Sequence, residues 1–298
     1  MTPDSALGSI VHPLKWPGGK SYLAKRIVAL FPPRCKTPND PAPDDPGYLH
    51  YVEPYAGGLA VLLENDPNGI SEVINDTNGD LTNFWLTLQQ EFCFKRFQRL
   101  CEATPFSEYE FRRAEEYINE HGEGKSQSGD RWTHAHAFFV YCRQSLAGRL
   151  DTFAPLSRNR TRRGMNEQAS AWLGAIDGLP AVHARLRPVV ILNEDAPKVI
   201  RKQDGKRTLF YIDPTYPHDV RETTTEYGEH EMTDEQHETL LILLAGIEGR
   251  FLLSCYHCPM YDEAAFDHKW TCHEFKIPNN AAGGKKKRRM TEVVWTNY

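Results

Sequence analysis

Short apolar runs alternate with helical periods along much of this chain. His50-Tyr51-Val52, Glu72-Val73-Ile74-Asn75, Val189-Val190-Ile191-Leu192 and Leu209-Phe210-Tyr211-Ile212 are short and mostly apolar, the pattern of strands buried in a sheet. Further strands are predicted at 251–254 and 293–296. Between these runs the period changes. Lys20 to Leu30 carries apolar residues at 23, 24, 27, 28 and 30, which predicts a helix stopped by Pro32-Pro33. Leu59 to Glu64 reads as a helix start. A helix from Thr233 is signalled by a capping box with Gln236 and a stop at Gly246. Residues 37 to 47, rich in Pro, Asp and Gly, predict a surface loop. Strand, loop, helix and strand in this order predict an α/β fold with a parallel sheet.

Residues 87–186 have a different texture. They are rich in aromatics and arginine, and carry helical patterns such as Ser107 to Asn119 and Thr133 to Ser145. Breaks rich in Gly, Ser and Arg fall at 122–129 and 157–166. No internal repeat is visible. The simplest organisation is one discontinuous sheet domain, 1–86 and 187–298, interrupted by a mainly helical insert at 87–186.

Composition narrows the class. The chain has 298 residues, 40% hydrophobic and 25% charged, as expected of a globular protein. No apolar stretch approaches a membrane span, and Met1 to Ile10 lacks the basic-then-apolar order of a signal peptide. A cytoplasmic setting is therefore expected, in a bacterium or a phage-infected cell. Seven cysteines at irregular spacing do not form a disulfide framework. Cys255 and Cys258 make a C-x-x-C, but Phe251-Leu252-Leu253-Ser254 runs straight into it, so the pair reads as a strand end and no metal is expected. Net charge is −5, yet cations cluster. Lys285, Lys286, Lys287, Arg288 and Arg289 follow two glycines, and Arg158, Arg160, Arg162 and Arg163 lie close together. Each run fits phosphate neutralisation or a solvated loop.

The chemistry concentrates in three loops. Lys15-Trp16-Pro17-Gly18-Gly19-Lys20-Ser21 ends like a phosphate-binding loop, but Leu14 stands where that motif needs its first glycine. Glu53-Pro54-Tyr55-Ala56-Gly57-Gly58 is a glycine-rich turn after a strand, which lets a ligand approach the backbone. Asn75-Asp76 closes the next strand, where an acid can hold ribose hydroxyls. Finally, Asp213-Pro214-Thr215-Tyr216 leaves a buried strand. An acid accepts hydrogen bonds from an amine, proline restrains the turn, and an aromatic offers a stacking face. Taken alone, the tetrapeptide is equally good turn chemistry.

In this order the motifs resemble those of the Dam-type (alpha-group) site-specific DNA adenine methyltransferases. His230-Glu231-Met232-Thr233-Asp234, Leu252-Leu253-Ser254 and the closing Thr291-Glu292-Val293-Val294-Trp295-Thr296-Asn297-Tyr298 extend the likeness to roughly two thirds of the chain. One position departs: Thr215 replaces a proline. The resemblance implies a Rossmann-like S-adenosylmethionine-dependent methyltransferase sheet, with 87–186 as target-recognition domain. It implies Asp213, Pro214 and Tyr216 as catalytic residues. Trp16, Lys20, Glu53, Ala56, Gly57, Gly58, Asp76 and Asp195 would bind the cofactor, although Ala196 stands where the family often has an aromatic.

The implied substrate is duplex DNA with the target adenine flipped out of the stack. Lys15, Arg143, Arg149, Arg158, Arg160, Arg162, Arg163, Lys285, Lys286, Lys287 and Arg288 are the candidate DNA contacts. A monomer on DNA is expected, and a cognate restriction endonuclease is a partner such an enzyme can have. Two other readings use the same residues: transfer to cytosine's exocyclic amine, and a DNA-binding protein on this fold that has lost turnover.

Overall fold

The run Thr208–Ile212 is buried at every position, as a strand covered on both faces must be. It lies inside an α/β fold seen in a computed structural model that describes residues 10–35, 47–122, 130–146, 148, 150, 152–154, 160–220, 230–278 and 289–298. In chain order the first elements are α1 Ala24–Val28, β1 His50–Glu53, α2 Ala60–Glu64, β2 Ser71–Asn75, α3 Gly79–Gln89, α4 Glu91–Ala103 and α5 Glu108–His121. Then come α6 Arg131–Gln144, β3 Thr161–Arg162, β4 Met165–Asn166, α7 Glu167–Leu186, β5 Val190–Leu192, α8 Ala196–Gln203 and β6 Thr208–Ile212. The chain closes with α9 Asp234–Ala245, β7 Arg250–Cys255, α10 Pro259–Asp267, β8 Thr271–Pro278 and β9 Arg289–Thr296. No helix among the described residues is long and apolar enough to cross a membrane.

Two compact units divide the chain: Met1–Leu30, Gly57–Asp66 and Asn78–Asn193 form one, and Phe31–Ala56, Pro67–Thr77 and Glu194–Tyr298 the other. The first unit takes in the glycine-rich segments at both 18–19 and 57–58 as well as the helical stretch, because the aromatic core of α3 to α7 extends to them. Within it Trp16 lies 6.1 Å from Phe138, and the Trp85 indole donates to the Gly57 carbonyl at 3.2 Å.

The second unit carries six of the seven strands of the central sheet, in the order β2-β1-β6-β7-β9-β8. β2, β1, β6 and β7 are parallel, with Val52 opposite both Val73 and Phe210, and Phe210 opposite Phe251. β9 then runs antiparallel between β7 and β8. The parallel strands all finish on one edge. Pro54, Asp76, Asp213 and Tyr256 therefore leave the sheet on the side where open α/β sheets hold ligands. The Thr233 capping box is present as expected: its hydroxyl accepts from Gln236, whose side chain accepts from the Thr233 amide at 2.8 Å.

In the first unit, Phe84 and Phe139 stack at 5.9 Å, and Phe97 and Trp172 close the same core. Asn78, Ser107 and Asn166 cap α3, α5 and α7 through side-chain acceptors. The break expected at 157–166 holds a hairpin. β3 and β4 pair antiparallel, joined by Arg163 and Gly164 at φ 54° and 72°. Two successive left-handed residues match the twist of a two-residue hairpin. Thr161 and Arg162 do not read as a strand because there is no apolar alternation to detect: both are exposed.

Candidate active site

β6 ends at Ile212, and the next residues turn out of the sheet with Asp213 half-buried, Pro214 buried, Thr215 half-buried and Tyr216 only 8% exposed. The Tyr216 hydroxyl donates toward Asp213 Oδ1 at 3.3 Å and to Glu292 of β9. Burial pushes the phenol pKa well above its ordinary value, and the Glu292 and Asp213 carboxylates push it further. The phenol therefore keeps its proton at neutral pH and serves as a hydrogen-bond donor. Tyr256, beyond β7, meets the Tyr216 ring edge-on at 4.9 Å.

Thr215, the departure from the resembling motif, is anchored. Its Oγ1 accepts from the Met232 amide at 3.0 Å, tying the loop to the segment that leads into α9. A proline has no hydroxyl to make this bond. Thr215 thus exchanges a stiff ring for a tether, a compensation worth about 1 kcal/mol.

The acids expected at the cofactor end, Glu53, Asp76 and Asp195, all belong to the second unit, the first two where β1 and β2 end. Asn75, fully buried at the end of β2, organises them. Its amide nitrogen donates to the Pro54 carbonyl at 3.0 Å and to the Glu194 carbonyl at 2.9 Å, while its oxygen accepts from the Glu194 amide at 2.8 Å. Its backbone carbonyl accepts from the Ala56 amide at 2.9 Å. One side chain thereby joins the turn after β1 to the residue before Asp195, with Asp76 next in the chain. Asp195 is exposed at the N-cap of α8, and Ala196 is buried beneath it. Glu53 is 1% exposed and accepts from the Tyr51 hydroxyl at 2.6 Å. Tyr55, close to Asp195, has its phenol pKa raised by burial and then by that acid.

Trp16, Lys20, Gly57 and Gly58 belong to the other unit. The Lys20 amine is buried and donates to the Gly18 carbonyl at 2.9 Å. Gly57 has φ 48°, and a Cβ there would sit 3.2 Å from the Trp16 ring; at Gly58 it would sit 3.1 Å from the Trp16 Cβ. The two glycines are required by this close approach, which forms a bare-backbone cradle beside an aromatic ring.

Sequence reasoning did not find Asn75 as a clamp or Glu292 as the partner of Tyr216. A buried acid in the otherwise apolar run Val293-Val294-Trp295 was the available signal for the second. Among the described residues no group of three or more His, Cys, Asp or Glu is arranged to hold a metal.

The candidate DNA contacts divide. Arg160, Arg162 and Arg163 are exposed around the β3–β4 hairpin, with Arg160 3.9 Å from Glu167 and Arg163 3.8 Å from Asp177. Lys15 is half-buried, its amine 3.4 Å from both the Ser145 carbonyl and Gln168 Oε1. Desolvation, then the Arg143 charge, lowers its pKa to about 8. Arg143 departs from the open placement expected of a phosphate contact: its guanidinium donates to the Ala171 carbonyl at 3.0 Å, and burial lowers its pKa to about 10. Arg149, Arg158, Lys285, Lys286, Lys287 and Arg288 lie outside the described residues.

A parallel sheet whose carboxyl edge carries acids and an Asp-Pro-Thr-Tyr turn defines the class of fold: an open α/β sheet with its candidate site at the strand exits. The chain matches the family model of the D12 class N6 adenine-specific DNA methyltransferases over residues 16–278. It belongs to that family. It is accordingly an S-adenosylmethionine-dependent enzyme that methylates adenine in DNA, which selects adenine over cytosine and turnover over binding alone. No individual curated protein matches the chain. In the second unit, Asp76 and Asp195 carry carboxylates whose chemistry suits the hydroxyl and amino groups of S-adenosylmethionine.

Proposed function

We propose that Asp213, Pro214 and Tyr216 form the amine-handling site of this DNA adenine methyltransferase and act on an adenine flipped out of the duplex. The observation that carries the proposal is the exit of a fully buried strand, β6, into a loop that sets Tyr216 Oη 3.3 Å from Asp213 Oδ1. Adenine's exocyclic nitrogen is a weak nucleophile because its lone pair is delocalised into the ring. The Asp213 carboxylate and the Pro214 carbonyl accept the two amine hydrogens and draw the nitrogen toward a tetrahedral shape, which localises that pair. Such acceptors are effective because the rigid strand holds them and burial excludes water. The methylated nitrogen then loses a proton to Asp213 or to water. Tyr216 supplies an aromatic wall for the flipped base.

S-adenosylmethionine, when bound, supplies the electrophilic methyl group. Asp76 is suited to accept from the ribose hydroxyls and Asp195 from the adenine amine. Glu53 and Ala56 are further cofactor residues proposed in that second unit. For the other unit, the resemblance supports cofactor roles for Trp16, Lys20, Gly57 and Gly58, with Lys20 suited to a carboxylate. Residues 87–186 are the proposed target-recognition region. Arg143, Arg149, Arg158, Arg160, Arg162 and Arg163 are its candidate phosphate or guanine contacts, with Lys15 and the 285–288 run as further candidates outside it. The same reading has a monomer acting on duplex DNA in the cytoplasm of a bacterium or phage-infected cell, beside a cognate restriction endonuclease where one is present.

Sequencing methylated adenines in DNA from cells expressing the chain tests the function and reads out the site. Flipping is tested with 2-aminopurine at the target position, whose fluorescence rises when the base unstacks. Modified adenine without any such rise would defeat the flipping part of the proposal.

A further inference from the structure

We propose that Glu292 is a positioning residue that accepts the hydrogen bond of the Tyr216 hydroxyl and so keeps that hydrogen from occupying an acceptor position on Asp213. The inference rests on the amine-handling role of Asp213 given above.

Glu292 is 1% exposed, in a strand whose next three residues, Val293, Val294 and Trp295, are all buried. β9 lies between β7 and β8, with Cys255 opposite Val293 and Phe275 opposite Glu292. A carboxylate at such a place is costly unless hydrogen bonds compensate it, and a valine or isoleucine would suit the strand better. The structure gives it a specific partner: the Tyr216 hydroxyl.

That hydroxyl has one proton and two carboxylates within reach. Glu292 is a hydrogen-bond partner of the hydroxyl, while Asp213 Oδ1 stands at 3.3 Å, the long end of a hydrogen bond. Burial and the two acids keep the phenol protonated, so the choice lies between acceptors and not between charge states. If the proton turned to Asp213, it would consume an acceptor position that the target amine needs. Glu292 draws the proton away. Asp213 stays ordered by a neighbour at 3.3 Å without being masked by it. The same bond fixes the tilt of the Tyr216 ring, which Tyr256 contacts edge-on.

The test uses the full chain, S-adenosylmethionine and duplex DNA containing the target sequence. Glu292→Leu removes the competing acceptor. The expected result is a fall in kcat of about tenfold or more, with KM for both substrates changed by less than about twofold, since the loss is confined to the transition state. Adding Tyr216→Phe removes the proton that now masks Asp213 while keeping the aromatic face. The double variant is expected to recover most of the lost kcat. A merely structural acid would give no such rescue. Glu292→Gln, with and without Tyr216→Phe, gives the same comparison at a smaller amplitude if the leucine variant does not fold.

A wild-type kcat in the Glu292 variants, or a double variant no faster than the single, would overturn the inference. Asp213→Ala separates the two levels of the argument. If it is inactive while Glu292 variants are normal, only the role of Glu292 falls; if it is active, the reading of Asp213 falls with it.

Discussion

The loop after β6 and the β3–β4 hairpin are both turns of a few residues, yet they are built in opposite ways. The first leaves a strand buried at every position, and its residues are pinned by side chains: Thr215 by Met232, Tyr216 by Glu292, with Asp213 beside it. The second is exposed from Thr161 to Met165, and the carboxylates described near its arginines stand 3.9 Å from Arg160 and 3.8 Å from Arg163. Covalent chemistry requires atoms held to a fraction of an ångström, so it sits where burial and hydrogen bonds remove freedom. Contact with a polyanion requires charge and reach, and salt-screened exposed pairs cost little to exchange for phosphate.

The comparison breaks most directly at Asp213. Asp213→Ala is expected to lower kcat by about a hundredfold or more while cofactor binding, measured by calorimetry, is retained. Turnover near wild type would move the chemistry elsewhere. Asn75→Ala comes next. It strips acceptors and donors from Pro54 and Glu194 in a buried site, so unfolding free energy should drop by roughly 2–3 kcal/mol and cofactor affinity should fall with it. An unchanged melting temperature would show that the clamp is not needed.

The hairpin should respond in the opposite manner. Replacing Arg162 and Arg163 together by alanine should weaken DNA binding, reduce the salt slope by about two, and leave the melting temperature within about a degree. A lost fold with an unaltered salt slope would reverse the assignment. Thr215→Val should be milder, costing about 1 kcal/mol and a few-fold in kcat through the lost bond to Met232. Thr215→Pro would restore the family pattern without restoring that bond, and its kcat shows which of the two matters.

The smallest effect is one of pH. The Lys15 pKa is lowered to about 8 in the folded chain, while the unfolded value is near 10.4. Between those values the unfolded state binds more protons, so this group makes stability rise with pH from about 8 upward. Relative to Lys15→Met, the wild-type chain should therefore gain stability between pH 8 and 10, as followed by denaturant titration. A constant difference across that range would place Lys15 in water.

Much of this was legible in the residues. The strands at 50–53, 71–75, 208–212 and 250–255 announce themselves because burial on both faces favours short, mostly apolar runs, and the helix at Thr233 because its cap is local. The order of the Trp16, Glu53, Asp76 and Asp213 motifs carried the family. The hairpin at 161–166 was not legible, since its signal is two left-handed residues and not a period. Neither were the unit boundaries, which follow from how Trp16 and Trp85 pack against Gly57 and Gly58.

By itself, then, the sequence determined what is local or one-sided: strand periods, caps, glycine turns and the types of reactive side chain. Only the tertiary structure decided the partners. Asn75 meets Glu194 from 119 residues away, and Tyr216 meets Glu292 from 76 residues away. The first pairing leaves no trace in the neighbouring residues and the second only an acid beside an apolar run, because a hydrogen bond depends on distance in space. The Asp-Pro-Thr-Tyr turn became a candidate active site through its motifs, but which acceptor holds the proton beside it depends on an acid brought in by the last strand.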